Sequence, residues 1–491
     1  MTATMPSFHH VLLHIFSALA LLSHVAAEAQ KPNVLFIAVD DLNDYVSILD
    51  GHPQAKTPNL DRLAKLGMKF TSAHTASPVC NSSRCALMTG RQPFKTGIYQ
   101  NGQPSRATVE RLGTLNREFL KNGYHTSGSG KIYHANLYVP SDWTDFKAKF
   151  PWPKLAKENR FPIGGEFDTA GAYPNELENQ TGDYLTAQWV SKRLTTPSKE
   201  PFFLACGIYR PHVVWQVPQK YFDLFPEDSI ILPDVNPNDL DDIPSFGRTL
   251  ALSREGNDES ESMAASPSGA HPHAAIVKAG HWKRGVRTYL ACIAYADAQL
   301  GHVLDALEAS PARDNTIVVL WSDHGWHLGE KLHWRKGTLW EESTRVPLVI
   351  VAPGLTKPGT TCDRVVSLID IYPTLRDLCS LDGKSELCGE SLRPLLADPS
   401  STATRNHAFT TYIDGAIAIR TPDARYIRYP DQSEEYYDRT IDPKEWTNLA
   451  KRPEHAEKIA TIRKLLPENP ADPSQGRKGK GNRDAKAGKE N

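Results

Sequence analysis

The sequence predicts an α/β fold: a large, mostly parallel sheet flanked by helices, with a smaller antiparallel sheet in a C-terminal subdomain. Three observations predict it. Short apolar runs without polar alternation recur along the first 400 residues, as strands buried on both faces require. Helical patterns lie between those runs, which is the alternation of a parallel sheet covered on both sides. Beyond about residue 400 the pattern changes to short strand-like pieces divided by turn residues.

The first strand is 32–39, Pro-Asn-Val-Leu-Phe-Ile-Ala-Val, and it ends abruptly in Asp40-Asp41. Thr57-Pro58 opens a helix, with Thr57 as the cap and Pro58 at the first helical position, and Gly67 closes it. Further strands are read at 124–127, 202–208, 316–321 and 347–352, with helices at 114–122, 181–194, 286–309 and 370–381. In the C-terminal part, strand-like pieces at 416–420, 425–429 and 435–438 are separated by Thr421-Pro422-Asp423 and Pro430-Asp431. A closing helix falls near 454–465. The expected organisation is an α/β domain over 30–400 and an α+β subdomain over 401–467. Polar residues 253–274 read as a surface insertion, and the Gly/Lys/Arg-rich stretch 468–491 as a disordered basic tail.

Residues 1–29 read as a signal peptide. An apolar run over 11–22 precedes Ala27-Glu28-Ala29, a small-x-small site, although no Lys or Arg comes before the run. The run is short for a membrane span, and no later segment has one. Export to the periplasm or the extracellular space is expected, with a retained N-terminal membrane anchor as the alternative. A formal net charge of −1 over 491 residues excludes nucleic-acid binding driven by a whole-protein field, so anion recognition must be local. Seven cysteines is an odd number for an exported chain, and modification of one would leave six for disulfides. Packing as small hydrophobes is the other reading, notably for Cys206 and Cys292.

The chain is organised around Cys80-Asn81-Ser82-Ser83-Arg84-Cys85-Ala86-Leu87-Met88-Thr89-Gly90-Arg91. It reads as a loop entering a helix, and helix N-termini hold anions. With Cys80 in the first turn, Arg84 falls on the same face, where a guanidinium fork beside a nucleophile suits a tetrahedral oxyanion. Two acidic clusters, Asp40-Asp41 and Asp323-His324-Gly325, directly follow predicted strands, where open α/β sheets bind ligands. Grouped carboxylates of this kind hold hard divalent cations. Each feature alone is an ordinary turn, cap or buried cysteine. Their combination is not.

The Cys80 stretch resembles the signature of the type I sulfatases, Cys-x-Pro-Ser-Arg continuing to Leu-x-Thr-Gly-Arg, with Ser82 in place of the usual Pro. Gly130-Lys131-Ile132-Tyr133-His134, Pro211-His212, and Asp323-His324-Gly325-Trp326-His327-Leu328-Gly329-Glu330 with the later Lys336 resemble blocks of the iduronate-2-sulfatase branch of that family. The likeness runs from about Pro32 to Ala450.

The resemblance implies an alkaline phosphatase-like sandwich and hydrolysis of sulfate esters on carbohydrates, glycosaminoglycans among them. It implies conversion of Cys80 to Cα-formylglycine (3-oxoalanine) by a formylglycine-generating enzyme. Ca²⁺ is then expected on Asp40, Asp41, Cys80, Asp323 and His324. Arg84, Lys131 and Lys336 are expected to neutralise the sulfate, with Asp323 as proton acceptor. His212 is the expected acid toward the leaving oxygen, and His134 the base that releases sulfate. Trp326, His327, His333 and Trp334 could line a sugar-binding rim or pack inside the fold. Two other functions stay open: a phosphonate monoester or phosphodiester hydrolase of the same superfamily, and a silent binder of sulfated glycans in which Cys80 is not converted.

Overall fold

A computed structural model describes residues 31–473 apart from 136, 253–271 and 414. The signal peptide, most of the 253–274 insertion and most of the basic tail lie outside the described residues. Asn33–Val39 is buried along its whole length and lies inside an eight-stranded sheet. The spatial order is Thr360–Cys362, Met68–Phe70, Leu348–Val351, Thr316–Ser322, Asn33–Val39, Phe202–Ile208, His125–Gly130, Asp145–Lys147. Every pairing is parallel except the two made by Leu348–Val351.

Strand alternation divides the apolar residues between two cores. Leu35, Ile37 and Val39 pack under helices Pro58–Leu66, Gly182–Leu194 and Trp282–Glu308. Val34, Phe36 and Ala38 pack on the other face, against Cys80–Thr89, Leu115–Lys121 and Ile371–Leu378. A continuous apolar run is what a strand needs when both of its faces are covered. Thr57 occupies the cap position as expected, but its hydroxyl accepts from the Ser47 N–H at 3.0 Å. Asp297 of the long helix caps instead, accepting from Asn59 N–H at 3.0 Å and Leu60 N–H at 2.8 Å.

Three strands of this eight-stranded sheet escaped the sequence reading: Met68–Phe70, Asp145–Lys147 and Thr360–Cys362. Each is three residues long, too short to show a period.

The C-terminal sheet is the antiparallel meander Ala408–Tyr412, Ala416–Arg420, Ala424–Arg428, Glu434–Asp438. One face packs with Val79, Leu339 and Trp340, and the other with Ile459 and Ile462 of the helix Ala456–Arg463. Its first strand is bonded to the approach of the Cys80 helix: Thr411 N–H donates to the Ala76 carbonyl at 2.9 Å, and the Thr410 hydroxyl to the Thr75 carbonyl at 2.6 Å. A buried charge network ties the same sheet to the short helix Glu341–Thr344 before Leu348–Val351. Arg425 pairs with Glu341 and, at 2.6 Å, with Glu445, while Arg439 lies 3.1 Å from Glu341 and 2.6 Å from Glu445. No helix among the described residues is long and apolar enough to cross a membrane.

Candidate active site

Four neighbouring strands point their C-terminal ends at one place. Asn33–Val39 leads into Asp40 and Asp41, and Thr316–Ser322 into Asp323 and His324. His125–Gly130 leads into Lys131 and His134, and Phe202–Ile208 into the loop of His212. Val39 stands opposite both Ile208 and Ser322, and Gly130 opposite Gly207, so the strands end level. This is where an open parallel sheet binds its ligand. Gly207 is needed there for space: a Cβ on it would sit 2.3 Å from the Lys131 nitrogen.

Cys80 is the first residue of the helix Cys80–Thr89, and all ten residues are buried. Extended Val79 precedes it, and Gly90 at φ +65 closes it in the left-handed conformation. Ser82, where the signature has Pro, donates its hydroxyl to the Ile98 carbonyl at 2.5 Å. Arg84 lies one turn on from Cys80, as the spacing predicted. Its Nη2 donates to Asp40 Oδ1 at 2.8 Å and its Nε to Asp323 Oδ2 at 2.9 Å. Its Nη1 donates to the carbonyls of Lys131 at 2.5 Å and Ile132 at 3.2 Å. The fork is thus engaged by protein acceptors. A guanidinium with 1% of its side chain exposed requires that neutralisation.

Two ammonium groups flank the Cys80 sulfur. Lys336 Nζ lies 3.1 Å from Sγ and 2.7 Å from Asp41 Oδ1. Lys131 Nζ lies 3.9 Å from Sγ and pairs with Asp40 Oδ2. His324 Nε2 is 3.3 Å from Sγ, 3.3 Å from Asp41 Oδ1 and 3.6 Å from Asp323 Oδ2. His212 Nε2 approaches Asp41 Oδ2 at 4.0 Å, its Nδ1 facing the Val213 carbonyl. Every site residue expected from the sequence therefore falls within one cluster.

Burial would raise the Cys80 thiol, but Lys131, Lys336, His324 and a hydrogen bond with His134 hold it well below the ordinary thiol range. Burial likewise favours protonated Asp40, yet Lys131 and Arg84 keep its carboxyl below the usual range. Asp323 is pushed up to about 6, by burial first, against the pull of Arg84. Burial would lower His324, but Asp323 chiefly raises it to about 9. The four donors Asp41, Cys80, Asp323 and His324 are buried and lie within 4.8 Å of one another. Asp41 Oδ2 is buried with no hydrogen-bond partner among the described residues. Such oxygens suit a hard divalent cation, and the residues fit one.

Sequence reasoning missed the supports of this cluster. Thr75 and Ser83 hydroxyls each donate to the Asp323 carbonyl at 2.6 Å, and Tyr289 OH donates to the Asp41 carbonyl at 2.6 Å. Their partners are far away in sequence, so no local signal marks them. Trp326, His327, His333 and Trp334 are all buried and act as packing rather than as a rim. His333, for one, lies between two carbonyls, with Nε2 3.0 Å from that of Lys336 and Nδ1 2.7 Å from that of Ala251. Lys131, His134 and His212 instead open onto a cavity of about 310 Å³ whose other walls include Tyr138, Phe146, Phe150 and Trp152.

A mostly parallel sheet that gathers buried acids, lysines and histidines around the residue opening a helix is the alkaline phosphatase-like fold. The chain belongs to the sulfatase family. The family model described as Sulfatase matches residues 32–381, and that of the N-sulphoglucosamine sulphohydrolase C-terminal region matches residues 329–471. A curated sulfatase of Formosa agariphila is 38% identical over 467 residues, covering 91% of this chain and 88% of its own length. The iduronate 2-sulfatase of Mus musculus is 30% identical over 391 residues, 71% of this chain and 69% of that one. The crystal structure of a phosphonate monoester hydrolase of Agrobacterium radiobacter shares the fold. Its TM-score is 0.72 at 24% identity, over 89% of this chain and 95% of that one. Hydrolysis of sulfate esters is the chemistry the family supports.

Proposed function

We propose that this protein is an exported sulfatase that desulfates carbohydrate in the manner of iduronate 2-sulfatases, through Cα-formylglycine made from Cys80 and a bound Ca²⁺. The observation that carries this reading is the buried meeting of Cys80 Sγ with Lys336 at 3.1 Å, His324 at 3.3 Å and Lys131 at 3.9 Å. Sulfate esters resist attack because their negative oxygens shield sulfur. Lys131 and Lys336 neutralise those oxygens as fixed, largely buried charges. Ca²⁺ held by Asp40, Asp41, Asp323 and His324 would add further positive charge there. Arg84 acts through Asp40 and Asp323, which it orients.

The hydrated aldehyde that position 80 would then carry would supply the nucleophilic hydroxyl, and Asp323 is the residue to take its proton. His212, with Lys336, protonates the departing sugar oxygen. His134 would take the proton of the second hydroxyl, which would let the C=O re-form as sulfate leaves. A plain alcohol would stay trapped as its sulfate ester. A formylglycine-generating enzyme is the implied maturation partner.

The test is mass spectrometry across Cys80 on protein co-expressed with such an enzyme, beside parallel assays on aryl sulfate and aryl phosphonate. We expect the thiol replaced by an aldehyde oxygen, sulfate turnover exceeding phosphonate turnover, and a folded Cys80→Ser variant without multiple turnover. Undiminished turnover by Cys80→Ser overturns the mechanism, and phosphonate preference overturns the substrate class.

A further inference from the structure

The cavity beside the site has a wall that the chemistry at Cys80 does not use. Beyond Lys131, His134 and His212 it is lined by Tyr138, Phe146, Lys149, Phe150 and Trp152. The wall grows out of the edge strand Asp145–Lys147, which pairs in parallel with His125–Gly130, the strand that delivers Lys131. Phe146, Phe150 and Trp152 are half-buried, so each ring keeps an open surface. Two of them are also held in place. Phe146 stacks on Trp143 with centroids 4.6 Å apart, and the Arg210 guanidinium lies 4.0 Å from the Trp152 ring.

The charge around this wall is positive. Residues 145–157 carry Lys147, Lys149, Lys154 and Lys157 against Asp145 and none other until Glu158. Asp145 is paired with Arg193. Asp183, also in the lining, accepts from the Tyr209 N–H at 2.7 Å and the Arg210 N–H at 2.9 Å, so its charge is spent on backbone. Held aromatic rings suit the C–H faces of pyranose rings, and an exposed lysine among them suits an anion.

We propose that this wall is the subsite for the part of the substrate beyond the scissile ester, and that this part is an acidic sugar, its carboxylate or second sulfate meeting Lys149. The leaving oxygen departs toward His212, on the same cavity, so the leaving group is the part that enters it. The proposal rests on the sulfatase reading for the reacting group and on the cavity for the subsite.

The test compares Lys149→Ala and Trp152→Ala with the parent protein on 4-nitrophenyl sulfate and on a sulfated heparin tetrasaccharide. The ratio of kcat/KM for tetrasaccharide over aryl sulfate is expected to fall about tenfold in each variant, through KM, the size of one charge-assisted contact. Lys149→Arg is expected to restore most of it. A second arm titrates chemically desulfated heparin tetrasaccharide into Cys80→Ala protein by calorimetry. Lys149→Ala should weaken that binding about tenfold as well. This arm reads the subsite even where no sulfate ester is turned over, so failure of the catalytic reading and failure of the subsite are separable. An unchanged ratio with unchanged binding overturns the subsite. Losses in Trp152→Ala alone overturn its acidic specificity.

Discussion

Lys336 Nζ lies 3.1 Å from Cys80 Sγ although 256 positions separate the two residues. The lysine follows a ribbon in which His327–Leu328 pairs with Trp334–Arg335, and His333 fixes its carbonyl. It is therefore a held charge. Lys336→Ala is expected to lower kcat by about 10²–10³, the usual loss when one preorganised stabilising group is removed. Steady-state kinetics with a melting curve beside them check this. A change in KM alone would move Lys336 from transition-state stabilisation to substrate binding.

The donor set around Asp41 predicts a cation response that can be read without activity. Adding Ca²⁺ should raise the melting temperature, by the equivalent of about 2.7 kcal/mol at a hundredfold excess over Kd, and a chelator should reverse it. Asp323→Asn should abolish the shift. A melting curve indifferent to Ca²⁺ and chelator alike would remove the cation from the site.

Gly207 borders Lys131 closely enough that a single methyl group matters. Gly207→Ala puts a Cβ 2.3 Å from the Lys131 nitrogen, and backbone must move to admit it. We expect a destabilisation of about 1–3 kcal/mol together with loss of kcat, because the same shift displaces the Lys131 ammonium. Denaturant titration and kinetics measure the two effects on one sample.

Ser82 offers a contrast within the signature. Its hydroxyl satisfies the Ile98 carbonyl, so Ser82→Ala should cost about 1–3 kcal/mol by leaving that acceptor unpaired. Ser82→Pro meets the same loss, but proline near a helix start gives up only an N–H that has no intrahelical partner. The two variants are therefore expected to melt within a few degrees of each other.

The C-terminal sheet sets an acid limit. Burial would raise Glu341, but Arg439, Arg420 and Arg425 hold it well below its ordinary value of 4.5. A depressed carboxyl stabilises the fold above the unfolded-state pKa, and that contribution is lost as pH falls through the folded value. The melting temperature should thus drop below about pH 4.5, and more gently in Glu341→Gln. Identical slopes in both proteins would place the acid sensitivity elsewhere.

The apolar run before Asp40, the helical start at Cys80 and the Asp323 cluster were legible because each is a local pattern ending at a strand or opening a helix. Their convergence follows from parallel topology, which alternating strands and helices announce. What stayed hidden is non-local. Asp297 displaced Thr57 as the helix cap because a carboxylate from the packed long helix reaches two N–H groups that the hydroxyl does not. The Arg84 fork turned toward Asp40 and Asp323, because deep burial leaves a cation no other way to be neutralised. The aromatic wall was in plain sight as Phe146-Lys147-Ala148-Lys149-Phe150-Pro151-Trp152, but nothing local marks it as bordering His212.

Thr410 reaches back 335 positions to the Thr75 carbonyl, and Thr411 to Ala76, just ahead of a Cys80 side chain with no exposure. During synthesis those bonds cannot form until about five-sixths of the chain has emerged. At about 5–20 residues per second, the Cys80 segment waits roughly 15–70 seconds for its final cover. An enzyme that grips the thiol, as the proposed maturation of Cys80 requires, would therefore work against a clock set by translation. Slowing the ribosome downstream of residue 91 would lengthen the interval, and a faster-folding variant would shorten it.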